Sequence, residues 1–423
     1  MRSVIRGFAP SRGLRHPDPR KAGGHRYRVI GLISGTSIDG IDVAAADLHA
    51  EEDTVVLTPL GELDVPYPEP LRDGLLAALP PNPCTAGELT RLDTGVGQAF
   101  ADAARRGAGE LAGGRADLVA SLGQTVFHWV EDGHVRGTLQ LGQPAWIAER
   151  TGLPVCADLR ARDVAAGGHG APLASTLDQL WLRGLAEDTG RPVAALNLGG
   201  IANITVVAEG RPVIAYDTGP ANALLDLAAH RVAGQRSDVD GRLALGGSVR
   251  ADLLGRLLAD PYFAAAPPKS TGKEHFNAGY LDAALAGLDP VEPGDLLATL
   301  TELTAVTVAG QCRRHGVTTV IASGGGVANP ALMAALARAL STVPDTVLKT
   351  SDDLGLPGAG KEAYLTALLG WLTWCGVPGT VPSATGARGP RLLGALVPGS
   401  GPLTLPAPLG GTVTRLRVAE KAG

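Results

Sequence analysis

Apolar and polar positions follow one another along the chain in blocks that predict alternating strands and helices. Residues 27–33 are apolar and β-branched, residues 41–48 are mostly apolar, and a polar turn at residues 34–40 separates them, which indicates a strand on each side of a turn. The blocks that follow predict strands at residues 54–57, 62–65, 118–121, 138–141 and 155–157, and helices at residues 70–79, 85–111 and 144–150.

The second half of the chain opens with the same order of elements. A strand at residues 193–197, a turn at 198–203 and a strand at 204–207 repeat the arrangement of residues 28–48. Later blocks predict strands at residues 213–216 and 318–322 and helices at residues 221–233 and 330–340. This alternation predicts α/β layers. The repetition predicts two related domains, each presenting a glycine-containing hairpin to one nucleotide between them.

Length, composition and charge narrow the class of protein. A chain of 423 residues is too long for one ordinary core, so two or three domains are expected. The net charge of −5 provides no basic field for nucleic acid. No apolar run reaches the roughly 18 residues that span a bilayer, so no membrane partner is expected either. Four widely separated cysteines indicate reduced thiols and a cytoplasmic protein.

The first residues lack the pattern of an ordered domain. Residues 1–27 are basic and contain several prolines, but no apolar segment follows that would make them a signal peptide. We therefore expect a disordered basic tail, with ordered sequence beginning near Tyr27.

Many of the 58 glycines lie in turns beside hydroxyl, amide and carboxylate side chains. The turn at residues 34–42 combines two glycines with three hydroxyl groups and two aspartates. Glycine allows backbone N–H groups to approach phosphate oxygens closely, and a nearby aspartate can hold Mg²⁺. A polar hairpin turn needs only one glycine, so phosphate binding is favoured over a plain turn.

Two turns in the second half have a similar composition. Residues 197–203 contain two glycines and residues 323–326 contain three, while Asp217 stands between a strand and a helix N-terminus. An anion is favoured at such a terminus. The alternatives are plain turns and, for Asp217, a helix N-cap.

Two further segments are informative. Residues 121–125 end a strand with hydrogen-bonding side chains, which suit a sugar or another small polar ligand. Residues 355–361 match G-x-x-x-x-G-K, but Glu362 follows where a Walker motif has Ser or Thr. We interpret this match as coincidental.

Candidate acid–base residues lie in residues 157–172. Asp158 and Asp163 flank Arg160 and Arg162, and several glycines follow. A carboxylate beside arginine stays ionised at neutral pH and can accept a proton or hold a hydroxyl group. The alternative is an exposed Asp–Arg pair of little energetic value.

Together these motifs resemble the anhydro-N-acetylmuramic acid kinase family, within the superfamily of sugar kinases, heat-shock chaperone ATPases and actin. The resemblance runs in order from about residue 28 to 400, through GLISGTSIDGIDVA (31–44), LGQTVFH (122–128), TLQLGQPAWIAERTG (138–152), ADLRARDVAAGGHGAPL (157–173), LNLGGIANIT (196–205), DTGPANALLD (217–226), PKSTGKEHFN (268–277), SGGGVANPALM (323–333) and TGARGPRLLGAL (385–396).

The resemblance implies an α/β fold of two actin-like (ribonuclease H-like) domains with ATP in the cleft between them. The first domain would comprise residues 28–150 and about 382–400, the second residues 151–381, and residues 401–423 would form a C-terminal tail. The implied reaction converts 1,6-anhydro-N-acetylmuramic acid, ATP and water to N-acetylmuramic acid 6-phosphate and ADP, in peptidoglycan recycling. A homodimer is also expected.

The resemblance also implies roles for individual residues. Asp163 is the expected general base, with Asp158 as the alternative, and Arg160 or Arg162 would provide orientation and charge. Gln124, Thr125 and Gly168 would contact the sugar. Asp39, Asp42 and Asp217 would lie nearest Mg²⁺. The nucleotide would contact residues in the glycine turns of both domains: Gly35, Thr36, Ser37, Ile38, Asp39, Gly40, Ile41, Asp42, Asn197, Gly199, Gly200, Asp217, Gly219, Gly324, Gly325 and Gly326.

Three positions depart from the family pattern. Leu122 replaces a usual His, Gln143 a common Asp or Asn, and His169 a common Gln. Leu122 and His169 lie in expected substrate segments, so a kinase of the same superfamily that acts on another amino sugar is one alternative. A catalytically inactive sugar sensor is an alternative from another class, and the presence of Asp39 and Asp163 disfavours it.

Overall fold

The strands of the chain form two sheets in a computed structural model, which describes residues 24–35 and 37–420. In chain order the strands are β1 (Tyr27–Ser34), β2 (Gly40–Glu51), β3 (Thr54–Pro66), β4 (Leu118–Glu131), β5 (His134–Leu141), β6 (Val155–Ala157), β7 (Val193–Leu198), β8 (Ile201–Val207), β9 (Ile214–Pro220), β10 (Thr319–Ser323), β11 (Val347–Thr350), β12 (Ala395–Val397) and β13 (Arg415–Val418). Thr36 and residues 1–23 of the expected basic tail lie outside the described residues.

The first sheet has eight strands in the order β12-β6-β4-β1-β2-β3-β13, with β5 paired to β4. β1 and β2 form the predicted antiparallel hairpin, and β3 continues it. β4 and β6 run parallel to β1, so the carboxyl ends of these three strands lie at the same edge of the sheet. Ligands of open α/β sheets bind at this edge.

The second sheet repeats the core of the first. Its order is β11-β10-β7-β8-β9, in which β7, β8 and β9 are antiparallel and β10 and β11 run parallel to β7. The corresponding strands of the first sheet, β6-β4-β1-β2-β3, have the same order and directions. The predicted fold class, two related actin-like α/β domains, is confirmed by this shared topology.

Helices cover the sheets. In chain order they are α1 (Glu69–Ala77), α2 (Ala86–Arg106), α3 (Pro144–Thr151), α4 (Ala161–Ala165), α5 (Ala174–Thr189), α6 (Asn222–Ala233), α7 (Arg242–Gly246), α8 (Ala251–Leu258), α9 (Pro261–Ala264), α10 (Ala278–Leu285), α11 (Pro293–His315), α12 (Pro330–Leu340), α13 (Lys361–Trp374) and α14 (Pro382–Thr385). The apolar face of α2 packs on one face of the first sheet, and α11 and α12 pack on one face of the second. None of the described helices is long and apolar enough to cross a membrane.

Two helices, α5 and α13, lie between the sheets and join them in one core. Leu177 of α5 and Tyr364 of α13 share an apolar cluster with Val29 of β1 and Val193 of β7, and all four side chains are fully buried. Burial of this shared apolar surface holds the two halves of the protein together.

Three elements lie outside the expected domain boundaries. β6 belongs to the first sheet although residues after 150 were expected in the second domain. α13 packs on β1, β2 and β4, and β13 pairs with β3 within the expected C-terminal tail. β6 and β13 are thus strands of the first sheet, because sheet edges recruit strands from distant parts of a chain, while α13 packs on this sheet within the core shared by both sheets. The boundaries between the two domains stay a prediction.

The expectation of two separate strands at residues 54–57 and 62–65 was wrong. β3 is a single strand with a register shift where Pro59 pairs with Ala46 and Gly61 with Ala45. Gly61 has a φ of 147°, which other residues rarely adopt. The proline and glycine mark a β-bulge instead of a turn.

We expect the substitution Gly31→Ala to destabilise the protein by about 3 kcal/mol. A methyl group at Gly31 would overlap the backbone of Ala363 and Ala367, so α13 would have to move away from β1. Urea unfolding monitored by circular dichroism measures the loss. Gly310→Ala in α11 is the control, since nothing lies within 4 Å of its added Cβ. A Gly31→Ala protein as stable as wild type would contradict this packing.

Candidate active site

A cleft of about 930 Å³ lies between the two sheets. The first sheet contributes Ser34, Gly35, Ser37, Asp39, Asp42, Asp64 and Thr125, and the second contributes Asn197, Gly199, Gly200, Asn203, Gly324 and Gly325. The remaining wall includes Arg160, the loop Thr271–Glu274, and Gly358, Ala359, Lys361 and Glu362 at the start of α13. All three predicted glycine turns therefore border one cavity.

Buried polar contacts hold the first glycine turn. Ser34 Oγ lies 2.7 Å from the carbonyl oxygen of Gly40 and 2.6 Å from Oε1 of Gln124. Gln124 Nε2 donates a hydrogen bond to the carbonyl oxygen of Gly35 at 3.2 Å. Gln124 is completely buried and is absent from the cleft wall. Its amide holds the first glycine turn, and its expected contact with the sugar stays a prediction. Thr125 beside it does line the cleft.

Part of the first turn belongs to the core instead of the cleft. Ile38 and Ile41 were expected among the nucleotide contacts, but their side chains are buried in the apolar cluster beneath α2. Ile38 has a φ of 52°, which is rare for a β-branched residue. Gly40 is needed for packing, because a Cβ there would overlap the carboxylate of Asp64. Thr36 is outside the described residues.

Carboxylates gather on the first-sheet side of the cleft. Asp42 of β2 pairs directly with Asp64 of β3, and Asp39, Glu362 and Glu62 add further negative charge. Burial, followed by repulsion from these carboxylates, raises the pKa of Asp42 from 3.8 to about 6. A cation that enters this part of the cleft would relieve the repulsion.

Among residues 24–35 and 37–420, no group of three or more His, Cys, Asp or Glu side chains is arranged to hold a metal ion. Asp39, Asp42 and Asp217 therefore do not form the expected metal site by themselves. Mg²⁺ usually keeps several waters and binds through one or two carboxylates and the phosphates of a substrate. Asp39 and Asp42, which both line the cleft, fit a magnesium ion that arrives with a nucleotide.

Asp217 acts through a neighbouring loop. Its Oδ2 accepts a hydrogen bond from the backbone N–H of Thr271 at 3.0 Å, and Thr271 lines the cleft. Burial raises the pKa of Asp217 to about 6, against the lowering effect of this hydrogen bond. Gly219 packs against Phe263, whose ring a Cβ would approach to 2.8 Å. Neither Asp217 nor Gly219 is among the cleft-lining residues, and their contacts with a nucleotide stay a prediction.

The glycines of the second sheet divide into two kinds. Gly199, Gly200, Gly324 and Gly325 line the cleft, and of these only Gly325 would accept a Cβ with nothing within 4 Å. Gly324 has a φ of 86° and lies against Asn197, while a Cβ at Gly326 would approach Leu198 to 2.7 Å. Gly325 therefore offers an open backbone surface, and its neighbours allow the two turns to pack together.

Asp163 has a fixed and buried carboxylate. Its side chain is 0% exposed; Oδ2 accepts a hydrogen bond from Gly170 N–H at 2.7 Å, and Oδ1 accepts one from the Thr385 hydroxyl at 2.8 Å. A Cβ at Gly168 would overlap this carboxylate. Gly168, expected to contact the sugar, is buried beside the expected base.

The two arginines of this segment have different surroundings. Arg160 lines the cleft, and its Nη1 donates to the carbonyl oxygen of Gly170 at 2.7 Å. Its Nε is buried without a hydrogen-bond partner among the described residues, and burial lowers the pKa of the guanidinium. Arg162 is exposed and is not part of the cleft wall. Arg160 is thus the arginine that can reach a ligand.

Asp158 borders a second, smaller cavity of about 400 Å³. The residue as a whole is exposed and has a φ of 57°. Partial burial of its carboxylate raises the pKa of Asp158 above 3.8. Leu122 and Gln143, two of the positions that depart from the family pattern, line the same cavity. The third, His169, is exposed and donates its backbone N–H to the carbonyl oxygen of Thr385.

Sequence reasoning missed Lys361 and Glu362, which line the cleft at the N-terminus of α13. Lys361 Nζ lies 2.8 Å from Oδ1 of Asp178 in α5 and donates to Ser323 Oγ of β10 at 3.3 Å. Both charged side chains of the pair are buried. A signal was present, because a lysine and a glutamate begin an otherwise apolar helix.

The variant Lys361→Met should lose about 3–5 kcal/mol of unfolding free energy, because the buried carboxylate of Asp178 would lose its partner. The double variant Lys361→Met/Asp178→Leu should recover most of this loss. Arg191→Met, which breaks an exposed pair with Asp345, should cost at most about 1 kcal/mol. Urea unfolding measures all three proteins. Equal losses of unfolding free energy for Lys361→Met and Arg191→Met would show that the buried ion pair stabilises the protein no more than the exposed one.

The pKa of Asp42 predicts a pH dependence of stability. The folded protein holds this proton more tightly than the unfolded chain does, so the stabilising contribution is complete below pH 3.8 and is lost as the pH rises through about 6. Asp42→Asn removes the titration. Its unfolding free energy, measured without divalent cations, should therefore improve relative to wild type between pH 4.5 and 7.5. Asp73→Asn, at an exposed position in α1, is the control. If Asp42→Asn differed from wild type in unfolding free energy by the same amount at pH 4.5 and pH 7.5, the raised pKa of Asp42 would be contradicted.

The model of the anhydro-N-acetylmuramic acid kinase family matches residues 27–399. An anhydro-N-acetylmuramic acid kinase from Streptomyces coelicolor is 57% identical to this chain, and the matched residues cover 92% of this chain and 99% of that protein. Another from Rhodococcus erythropolis is 52% identical over 88% of this chain and 94% of its own. A solved ROK family glucokinase from Streptomyces griseus, in complex with glucose and AMPPNP, is 14% identical over 81% of this chain and 99% of its own. Its TM-score of 0.34 is too low to bear on the fold. The family match and the two relatives show that the chain belongs to the anhydro-N-acetylmuramic acid kinase family.

Proposed function

We propose that this chain uses ATP and water to convert 1,6-anhydro-N-acetylmuramic acid to N-acetylmuramic acid 6-phosphate, in peptidoglycan recycling. The observation that carries the proposal is the cleft between the sheets, where glycine turns from both domains meet a cluster of carboxylates. Membership of the kinase family supports the identity of the sugar.

The reaction balances with one water and one ATP. Water attacks C1 of the sugar, and the C1–O6 bond breaks with its electron pair going to O6. O6 bonds to the γ-phosphorus of ATP, and ADP leaves. A carboxylate of the protein takes the proton of the attacking water, as the base of an inverting glycosidase does. No carboxylic acid has to protonate O6, because the phosphoryl group takes that place.

Asp163 is the proposed general base. Its hydrogen bonds from Gly170 and Thr385 fix the orientation of the carboxylate. The absence of a side chain at Gly168 leaves Oδ2 without side-chain cover on that side. Arg160 lies near enough for its charge to interact with Asp163, and it lines the cleft where the phosphoryl group would transfer.

Asp158 is the alternative base. It is exposed and borders a cavity, so a bound water could reach it without a change in structure. Its raised pKa makes the ionised carboxylate a stronger proton acceptor. The carboxylate of Asp163 is fully buried whereas Asp158 is exposed, so the two candidates differ in their access to water.

The proposed nucleotide site uses both domains. The backbone of Gly35 and Gly200 would contact phosphate oxygens, and the open surface at Gly325 would receive the adenosine. We propose Asp39 and Asp42 as the carboxylates nearest Mg²⁺. When bound with ATP, Mg²⁺ neutralises phosphate charge. The acidic wall at Asp42 supports a nucleotide that carries its own cation.

The activity is tested with Mg·ATP and 1,6-anhydro-N-acetylmuramic acid in water labelled with ¹⁸O, followed by mass spectrometry. One ¹⁸O at C1 and a phosphate on O6 are expected. Asp163→Asn should still bind ATP, and its kcat should fall by about 100- to 10,000-fold because the general base is lost. Asp188→Asn, at an exposed position in α5, is the matched control and should retain wild-type turnover.

Two results separate the residues from the reaction. If Asp163→Asn keeps its activity while Asp158→Asn loses it, Asp158 is the base and the reaction stands. Absence of ADP, or a phosphorylated sugar with its anhydro ring intact, would overturn the proposed reaction itself.

Two expectations about the surroundings of the protein stay predictions. One is assembly as a homodimer. The other is a cytoplasmic location, which the spacing of the four cysteines favours.

A further inference from the structure

A third cavity, of about 590 Å³, lies where four parts of the chain meet. Its wall is formed by α5, the segment between β8 and β9, α14 with the segments on either side of it, and part of residues 409–413. None of the described residues in this wall also lines the cleft or the smaller cavity. We call it the arginine pocket, after Arg183 of α5 and Arg211 of the β8–β9 segment.

The charge in the wall of the arginine pocket is entirely positive. Among residues 24–35 and 37–420, the charged residues that line it are Arg183 and Arg211, and neither an aspartate nor a glutamate does so. The cleft and the smaller cavity both have carboxylates in their walls. Because a pocket lined by charge of one sign concentrates ions of the opposite sign, the arginine pocket favours an anion.

The guanidinium group of Arg183 is unpaired within the described part of the chain. Its Nε is buried without a hydrogen-bond partner. Its two Nη atoms form no hydrogen bond or ion pair either, but they are not buried and keep accessible surface. Glu187, one helical turn later on α5, is not available to Arg183 because it pairs with Arg415. The charge of Arg183 therefore remains available to a ligand.

Three exposed side chains supply further donors to the pocket. The guanidinium group of Arg211 has no hydrogen bond or ion pair with any residue that the structure describes. The hydroxyl groups of Ser383 and Thr412 are likewise unbonded to described residues. Guanidinium groups bind the oxygens of phosphate in a bidentate manner, and hydroxyl groups can donate to the same oxygens.

The remainder of the wall is largely apolar. Val213, Val377 and Val381 are buried in it, and four prolines border it. The volume of about 590 Å³ is within the range of roughly 300–1,000 Å³ that is usual for small-molecule sites. The pocket therefore has room for an organic group beside the anion.

The balance of charge narrows the class of anion. A phosphate monoester carries a charge of about −1.5 to −2 at pH 7, which two guanidinium groups can neutralise, whereas a carboxylate carries a single charge. A nucleoside triphosphate carries more charge than this pair can neutralise. Its magnesium ion would also find no carboxylate among the described residues of the wall.

We propose that the arginine pocket binds a phosphate monoester with a compact apolar body. Arg183 and Arg211 bind the phosphate oxygens, and the valines and prolines receive the body of the ligand. This is a second ligand site, separate from the sites for nucleotide and sugar. It is independent of the proposed reaction, because the pocket and the cleft share no described lining residue.

The proposal is tested by isothermal titration calorimetry of the full chain in a buffer without phosphate or divalent cations. Phenyl phosphate carries both a dianion and a ring, inorganic phosphate lacks the ring, and phenyl sulfate has a similar shape but a single negative charge. We expect a single phenyl phosphate to bind per chain. Its Kd should be lower than that of either other probe by about 10-fold, because each of those lacks one of the two features.

Variants locate the bound probe. Arg183→Gln and Arg211→Gln should each raise the Kd of phenyl phosphate by about 10-fold or more, because each loses charge-assisted hydrogen bonds. Arg183→Lys keeps the charge but loses the guanidinium fork, so its effect should be smaller. Arg105→Gln in α2 is the matched control, since Arg105 is exposed, has no ion pair with a described residue and lines none of the three cavities. Its Kd should equal that of wild type.

Thermal unfolding separates loss of binding from loss of the fold. Without a probe, all four variants should unfold near the Tm of wild type. With phenyl phosphate, the Tm of wild type and Arg105→Gln should rise, because the ligand binds the folded state, and the Tm of Arg183→Gln should rise less.

Two results would count against the arginine pocket. If phenyl phosphate does not bind, or if folded Arg183→Gln and Arg211→Gln bind it as tightly as Arg105→Gln does, the proposal is overturned. If inorganic phosphate or phenyl sulfate binds as tightly as phenyl phosphate, the pocket is an anion site but its assignment to a phosphate monoester is wrong.

Discussion

The close packing of α13 against β1 is the contact on which the rest of the structure depends. At Gly31 the two backbones approach so closely that no side chain fits between them. This contact attaches α13 to the first sheet, while Lys361 at its cleft end reaches Asp178 of α5 and Ser323 of β10. One helix therefore fixes the first sheet, the interdomain core and the edge of the second sheet relative to one another.

The geometry of the cleft follows from that arrangement. Each sheet ends in glycine turns that carry few side chains, so the space between the sheets stays open after the cores have packed. The charges around this space are mostly negative, and burial together with repulsion from the neighbouring carboxylates raises the pKa of Asp42. Lys361 compensates little of this charge, because Asp178 already pairs with it. A polyphosphate is accommodated more readily here together with a cation than alone.

The positions of the turns could be predicted from the sequence, whereas the direction of each side chain could not. Glycine, hydroxyl and carboxylate residues are concentrated at residues 34–42, and that local pattern located the turn correctly. Ile38 lies in this turn and Gln124 of β4 hydrogen-bonds to it, but packing directs both side chains away from the cleft. Asp217 illustrates a second difficulty, since its role depends on Thr271, which is distant in sequence. The pairing of β13 with β3 was hidden for the same reason.

The segment from Asp158 to Asp163 places its charged side chains in three different surroundings. The left-handed backbone at Asp158 turns the chain immediately after β6, and Asp158 and Arg160 then line different cavities. Asp163 follows on α4, where two hydrogen bonds restrict its carboxylate to one orientation. In the proposed reaction the general base comes from this segment, whereas the glycine turns hold the nucleotide. Substitution of Asp163 or Asp158 would therefore act on the proton transfer, and substitutions in the turns would act on nucleotide binding.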